Sequence, residues 1–134
     1  MLEMESVEAD DQFWDAIELT NQQLETTGLY ITHLFIEDQI ILSPNWLNTL
    51  VPIELPNLKQ LRLFRPSTLG LMLTKMMRID PQDRSDLAYL FSQLGKELPL
   101  LQAHMEQAVI PDIAEIREAF QNNRQWIGKN LLRI

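Results

Sequence analysis

Proline residues place the strongest constraint on how this chain can fold. Proline fixes its own φ angle and lacks the backbone N–H that a helix interior or a central strand requires. The sequence contains seven prolines: Pro44, Pro52, Pro56, Pro66, Pro81, Pro99 and Pro111. Pro52 and Pro56 bound a stretch that is predicted to be irregular, and Pro66 ends a short extended segment. The last three prolines occur where helices are predicted to begin. The chain is therefore predicted to form short elements, largely extended in the middle of the sequence and helical after Pro66.

An amphipathic helix is predicted over residues 11–26, ahead of the first proline. Its apolar residues recur at spacings of three, four and seven, which places them on one helical face: Phe13, Trp14, Ile17 and Leu24. Acidic residues at positions 10 and 11 suit the positive end of a helix. Gly28 is predicted to lie near the end of this helix.

Short strands are predicted after this helix. Residues 29–36 and 40–42 are rich in β-branched and aromatic side chains, and the polar residues 37–39 separate them. This pattern predicts a β-hairpin. A third short strand is predicted over residues 61–64 and is stopped by Pro66.

The sequence after Pro66 carries helix start signals and helical periodicity. Ser67 is a predicted cap of a helix that buries Leu69, Met72, Leu73 and Met76. Asp80-Pro81-Gln82-Asp83 is a second start signal, for a helix that buries Leu87, Leu90, Phe91 and Leu94 and ends near Gly95. Pro99 is predicted to open a helix through about Ala108. Pro111 is predicted to open the last one, with Ile113, Ile116, Phe120, Ile127 and Leu131 in line.

These elements predict an α+β fold, with a small antiparallel or mixed sheet of about three strands packed against several helices. A chain of 134 residues has the size of one domain. We therefore predict a single domain over residues 1–134, with 1–10 as a flexible or edge segment and 97–134 as a C-terminal helical part.

Composition narrows the partners that can be expected. The net charge is −8, from 19 acidic and 11 basic residues, and such a surface repels nucleic-acid backbones. Direct nucleic-acid binding is not expected, although a local basic cluster could hold a nucleotide when Mg²⁺ offsets the charge. Neither a secretory signal nor an apolar run of about 20 residues is evident, so we expect no membrane partner and a cytoplasmic location.

The densest group of candidate functional side chains consists of four charged residues between positions 75 and 86. Lys75 and Arg78 are three residues apart on one predicted helix, and Asp83 and Asp86 are three apart on the next. A tight turn between the helices would bring two cations near two carboxylates. Such a group can pin the helix–turn–helix through ion pairs, which are common and individually weak. It can also bind a phosphorylated ligand, with lysine on phosphate and an aspartate orienting it or holding metal.

Several short runs resemble one protein family. They are, in order, residues 28–35 (Gly-Leu-Tyr-Ile-Thr-His-Leu-Phe), 42–46 (Leu-Ser-Pro-Asn-Trp), 61–67 (Leu-Arg-Leu-Phe-Arg-Pro-Ser), 73–78 (Leu-Thr-Lys-Met-Met-Arg) and 80–83 (Asp-Pro-Gln-Asp), continuing to Asp86. Together they resemble uncharacterised bacterial nucleotidyltransferase-like domains related to the toxin transferases of abortive-infection systems. The similarity covers about residues 12–94, and it suggests a relation to toxin–antitoxin systems.

The resemblance implies specific roles for these residues. It implies a Mg²⁺-dependent transfer of a nucleoside monophosphate from a nucleoside triphosphate, with Lys75 on the nucleotide phosphates. Arg78 is predicted to bind the nucleotide as well. Asp83 or Asp86 would be the downstream catalytic aspartate. The family places a Gly-Ser turn and an Asp-x-Asp pair ahead of this region, and both are missing here. The nearest candidates for the metal pair are Glu3 and Glu5, which share the x-spacing.

Two functions follow from this comparison. The first is a nucleotidyltransferase-like protein that lacks part of its site and is inactive unless the metal ligands come from Glu3 and Glu5 or from another chain. The second is a non-catalytic protein-interaction module, comparable to an antitoxin or an accessory subunit. Its partner would be another protein or a second copy of this chain, and Trp126 is a candidate for a dimer contact or for docking the last helix.

Overall fold

A computed structural model describes residues 11–28, 37–54 and 62–134 of the chain. In these parts the chain is mostly helical with one two-stranded antiparallel sheet. The elements, in chain order, are α1 (Asp11–Leu24), β1 (Val51–Pro52), β2 (Phe64–Arg65), α2 (Thr68–Thr74), α3 (Pro81–Ser92), α4 (Leu101–Gln107) and α5 (Ala114–Ile127). Short 3-10 turns cover Glu25–Thr27, Glu37–Gln39, Trp46–Thr49, Lys75–Met77 and Gly95–Leu100, and a π-helical turn covers Gly128–Leu132. This combination of helices and a small sheet is α+β.

The chain divides into two compact units. The first comprises Met1–Glu37 and Val51–Arg65, and the second comprises Asp38–Leu50 and Pro66–Ile134. The predicted single domain over residues 1–134 stays a prediction. No helix in the described ranges combines the length and the apolar content needed to cross a bilayer.

In the first unit, α1 confirms the helix predicted over residues 11–26. It continues through the 3-10 turn to Gly28, whose φ of 76° is left-handed and whose N–H donates to the carbonyl of Glu25 at 3.4 Å. Glycine adopts this conformation without the strain that a Cβ would cause. Ile17 and Leu24 are buried as predicted, whereas Trp14 is 47% exposed although the spacing placed it on the same face.

The sheet of the first unit differs in part from its prediction. β1 and β2 pair with Val51 opposite Arg65 and Pro52 opposite Phe64. The third strand was predicted over residues 61–64, and of the described residues 62–65 only Phe64 and Arg65 form a strand. The stretch bounded by Pro52 and Pro56 was predicted to be irregular. Pro52 itself pairs in β1, Ile53 and Glu54 belong to no regular element, and residues 55 and 56 lie outside the described residues. A two-stranded sheet has only edge strands, and an edge strand tolerates a proline whose missing N–H faces away from the ladder.

The hairpin was predicted over residues 29–42, of which the structure describes 37–42. Its first strand, residues 29–36, lies outside the described residues, and so does Leu61. The polar segment 37–39 forms a 3-10 turn. In the second unit, Leu42 forms an antiparallel bridge with Val109, with N–H···O distances of 3.2 and 2.8 Å.

The helices α2 and α3 of the second unit begin where their caps predict. The hydroxyl of Ser67 accepts a hydrogen bond from the N–H of Gly70 at 3.1 Å, and the carboxylate of Asp80 accepts one from the N–H of Gln82 at 2.8 Å. These bonds satisfy N–H groups that have no partner within a helix. Gly95 follows α3 with a left-handed φ of 53°, as predicted for its end.

The last two helices begin later than predicted. Pro99 lies inside the 3-10 turn Gly95–Leu100, and α4 starts only at Leu101. Similarly, α5 starts at Ala114, three residues after Pro111, so Ile113 precedes the helix and is exposed. The prediction that Ile113 belongs to the apolar line of this helix was wrong. Ile116, Phe120, Ile127 and Leu131 do pack in or against the core.

One apolar core holds the second unit together. Its buried members come from the 38–50 segment and from every helix of the unit: Ile41, Leu69, Met72, Leu73, Met76, Leu87, Leu94, Leu101, Met105, Phe120 and Ile127. Met72 and Met76 lie in this core as their helical spacing predicts, and Met77 packs against it. The core fixes the turn between α2 and α3, where the predicted site residues lie.

Candidate functional site

The charge cluster, defined as Lys75, Arg78, Asp83 and Asp86, forms at the turn between α2 and α3. The last turn of α2 tightens into the 3-10 turn Lys75–Met77, which keeps Met76 in the core. Arg78 is extended, with φ −148° and ψ 160°, and Asp80 caps α3 two residues later. The reversal brings the end of one helix beside the first turns of the next.

Direct ion pairs join all four side chains of the cluster. Lys75 Nζ lies 2.8 Å from Asp86 Oδ2 and 3.6 Å from Asp83 Oδ1. Arg78 Nε donates to Asp83 Oδ2 at 2.6 Å. Asp83 is the central member, since it contacts both cations and its side chain is only 5% exposed. The sequence prediction that two cations and two carboxylates meet at this turn is confirmed.

Hydrogen bonding and charge shift the pKa of two cluster members. The hydrogen bond from Lys75 lowers the pKa of Asp86, and a second hydrogen bond from Gln82 Nε2 at 3.0 Å acts in the same direction. The hydrogen bond with Asp83 raises the pKa of Arg78, and the negative charges of Asp83 and Asp80 add to this. Both shifts favour the charged forms. The four residues together carry no net charge.

Asn123 of α5 holds this turn in place, a role that the sequence analysis did not predict. Its side chain is fully buried, and Nδ2 donates to the carbonyls of Met76 and Arg78 at 3.2 and 3.0 Å. Arg84 Nε approaches Asn123 Oδ1 at 3.4 Å. A signal was available, because an asparagine at 123 lies between Phe120 and Ile127 on an apolar helical face. A polar residue there must find a partner inside the protein.

Trp126 contributes to the same contact between α3 and α5. It packs against the core, and the guanidinium carbon of Arg84 lies 5.3 Å from the centroid of its ring. This is cation–π geometry. Of the two roles considered for Trp126, this packing supports the docking of the last helix.

Beside the charge cluster, an open groove runs between the 77–79 segment and α5. Its volume is about 320 Å³, and its lining is mostly apolar. We call it the α5 groove, and it is lined by Met77, Arg78, Ile79, Glu115, Glu118 and Ala119. Only Arg78 belongs both to the groove and to the charge cluster.

The predicted metal ligands Glu3 and Glu5 lie outside the described residues. Within the described ranges, no three histidine, aspartate or glutamate side chains are gathered closely enough to hold a metal ion. Lys75, Arg78, Asp83 and Asp86 are brought together, but their roles toward a nucleotide stay predictions.

Comparisons with known proteins add no relative: no protein-family model, no curated protein and no solved structure matches the chain. The relation to nucleotidyltransferase-like domains therefore depends on the short sequence runs alone and stays a hypothesis.

Proposed function

We propose that this protein is a non-catalytic protein-interaction module. The observation that carries the proposal is the pairing within the charge cluster, since both cations expected to bind phosphate are bonded to carboxylates of the same chain. Asp83 and Asp86 act here as partners of Lys75 and Arg78 and stabilise the turn between α2 and α3. This corresponds to the structural interpretation of the four residues.

Electrostatics favours this proposal over a nucleotide site. A triphosphate would have to compete with a carboxylate that lies 2.8 Å from Lys75 Nζ and with another that lies 2.6 Å from Arg78 Nε. The cluster itself is neutral, and Asp80 adds a negative charge close to Arg78. A group of this kind has no excess positive charge to attract an anion.

Nucleotide titration tests the proposal. Folded protein is titrated in a calorimeter with each of the four common Mg²⁺–nucleoside triphosphates up to millimolar concentration. We expect no saturable heat with any of them, because the cations are already paired.

Saturable nucleotide binding that depends on Lys75 would support the nucleotidyltransferase-like hypothesis instead. Saturable binding that is lost in Lys75→Gln and kept in Lys96→Gln would show that Lys75 is free to leave Asp86 for a phosphate. Lys96 is a suitable control because it is an exposed lysine in the same unit, outside the charge cluster. Circular dichroism of each variant establishes that it is folded.

A further inference from the structure

We infer that the α5 groove docks a segment of a partner protein in which an aliphatic side chain stands beside a lysine or an arginine. The inference depends on the proposed function as a protein-interaction module and specifies the chemistry of the partner. It uses a different surface from the charge cluster, with Arg78 alone in common.

One large apolar side chain of the groove is exposed to water. Ile79 is 55% exposed, whereas Ala119 is buried and Met77 is half-buried against the core. An aliphatic side chain seated in the groove would contact all three and remove the exposed surface of Ile79 from water, which is favourable. A volume of about 320 Å³ is at the small end for ligand sites, and suits one or two side chains better than a large ligand.

The charged part of the groove is negative. Glu115 and Glu118 are three residues apart on α5, so they lie on neighbouring positions of one helical face. Among the residues that the structure describes, neither glutamate has a cation within salt-bridge distance. Arg78, the one cation of the lining, is already bonded to Asp83. The uncompensated charge of the groove therefore belongs to the two glutamates.

A basic side chain complements both parts of the groove. The methylene stem of lysine or arginine can lie on apolar surface while its charged end reaches a carboxylate. An acidic or phosphorylated segment would be repelled by the glutamates, and a purely apolar one would desolvate their carboxylates without compensation. The net charge of −8 on the whole chain further favours encounter with a basic partner.

The groove is held in shape before any partner binds. Asn123 bonds the carbonyls of Met76 and Arg78, which fixes the 77–79 segment against α5. Preorganisation of this kind reduces the ordering cost of binding.

Three synthetic peptides of equal length test the inference. One carries leucines along one helical face with a lysine beside each leucine on the same face, the second replaces each lysine with glutamate, and the third replaces each leucine with serine. Isotope-labelled protein is titrated with each peptide, and the backbone amide shifts are followed by NMR. We expect the leucine–lysine peptide alone to bind saturably, with shift changes centred on residues 77–79 and 115–119.

Two sets of variants distinguish binding at the α5 groove from non-specific attraction to the negative charge of the protein. Glu115→Lys with Glu118→Lys is expected to weaken binding of the leucine–lysine peptide by roughly tenfold or more, because two attractions become repulsions. Glu18→Lys with Glu25→Lys changes the net charge equally at exposed glutamates of the first unit, and should change affinity by less than about threefold. Ile79→Ser should weaken binding by about threefold or more, whereas Leu47→Ser, at a similarly exposed leucine, should leave it unchanged.

The outcomes distinguish failure of the groove from failure of the proposed function. Absence of binding by the leucine–lysine peptide, or shift changes centred outside the groove, would overturn the inference about the groove. Equal weakening by both pairs of charge reversals would overturn it too, since attraction would then be non-specific. The proposed function fails separately, through Lys75-dependent nucleotide binding.

Discussion

At the scale of single residues, Asn123 and Asp83 determine the geometry of the turn between α2 and α3. Both are polar and both are buried, which is costly unless every polar atom finds a partner. Asn123 donates to two backbone carbonyls, and Asp83 accepts from Arg78 and lies near Lys75. Together they connect Lys75, Met76 and Arg78, which follow α2, to α3 and α5. We therefore expect the turn to be more sensitive to these two residues than to its exposed charges.

Asn123→Ala is expected to lower the free energy of unfolding by roughly 2–3 kcal/mol, because it leaves the carbonyls of Met76 and Arg78 without their donor in the protein interior. Urea unfolding measures this loss. Asn122→Ala is the matched control, since Asn122 is adjacent and less buried, and it should cost no more than about 0.5 kcal/mol. Equal losses in the two variants would contradict the assigned role of Asn123.

The lowered pKa of Asp86 predicts a pH dependence of stability. A carboxyl whose pKa falls below its ordinary value of 3.8 on folding stabilises the protein above that pH. The contribution is lost as the pH falls through the lowered pKa. Wild type should therefore exceed Asp86→Asn in urea midpoint at neutral pH, and the difference should close under acid conditions.

Measurement of both midpoints between neutral pH and about pH 2 tests this expectation. Asp38→Asn, at an exposed aspartate of the 3-10 turn 37–39, controls for the loss of one negative charge. A gap between wild type and Asp86→Asn that stayed constant into acid would show that ionisation of Asp86 is not its cause.

At the scale of elements, caps and buried faces decide where the helices of the second unit begin. Ser67 and Asp80 accept hydrogen bonds from the first turns of α2 and α3. Where a helix follows a proline without such a cap, as after Pro99 and Pro111, the start is displaced by two or three residues. The side-chain acceptor therefore locates these starts better than the proline does.

Ser67→Ala is expected to destabilise the protein by about 1 kcal/mol, because the N–H of Gly70 loses its acceptor. Thermal or urea unfolding measures the change. Ser85→Ala is the matched control, since Ser85 is an exposed residue inside α3. Alanine there should be neutral or slightly stabilising. A smaller loss for Ser67→Ala than for Ser85→Ala would exclude the capping role.

At the scale of the whole molecule, contacts distant in sequence complete the second unit. The segment Asp38–Leu50 belongs to this unit although residues 51–65 separate it from the helices. Ile41 is fully buried in the helical core, and Leu42 pairs with Val109 next to α4. The helices after Pro66 therefore depend on Ile41 and Leu42, which precede the first of these helices by more than twenty residues.

Ile41→Ala is expected to lower the free energy of unfolding by about 2–5 kcal/mol, through lost burial and the cavity left in the core. Ile40→Ala at the half-buried neighbouring position should cost clearly less. NMR spectra of both variants would show whether the disturbance reaches the helices after Pro66. Equal, small losses would mean that the segment 38–50 does not support the core.

The local features of this protein follow from its amino-acid sequence. The caps at Ser67 and Asp80, the left-handed end at Gly28 and the inward faces with Met72, Met76 and Leu87 all follow from hydrogen bonds and spacings within a few residues. The meeting of Lys75 and Arg78 with Asp83 and Asp86 was also predictable, since one short turn joins their helices.

The remaining features depend on tertiary packing, because the contacts that specify them join residues far apart in sequence. The spacing of Asn123 from Phe120 and Ile127 places it on the apolar face of α5. Only packing brings it against the carbonyls of Met76 and Arg78. The pairing of Val51 with Arg65 and the bridge from Leu42 to Val109 are likewise long-range. The α5 groove exists because Glu115 and Glu118 lie beside Ile79 in space, and no local pattern of side chains specifies that distance.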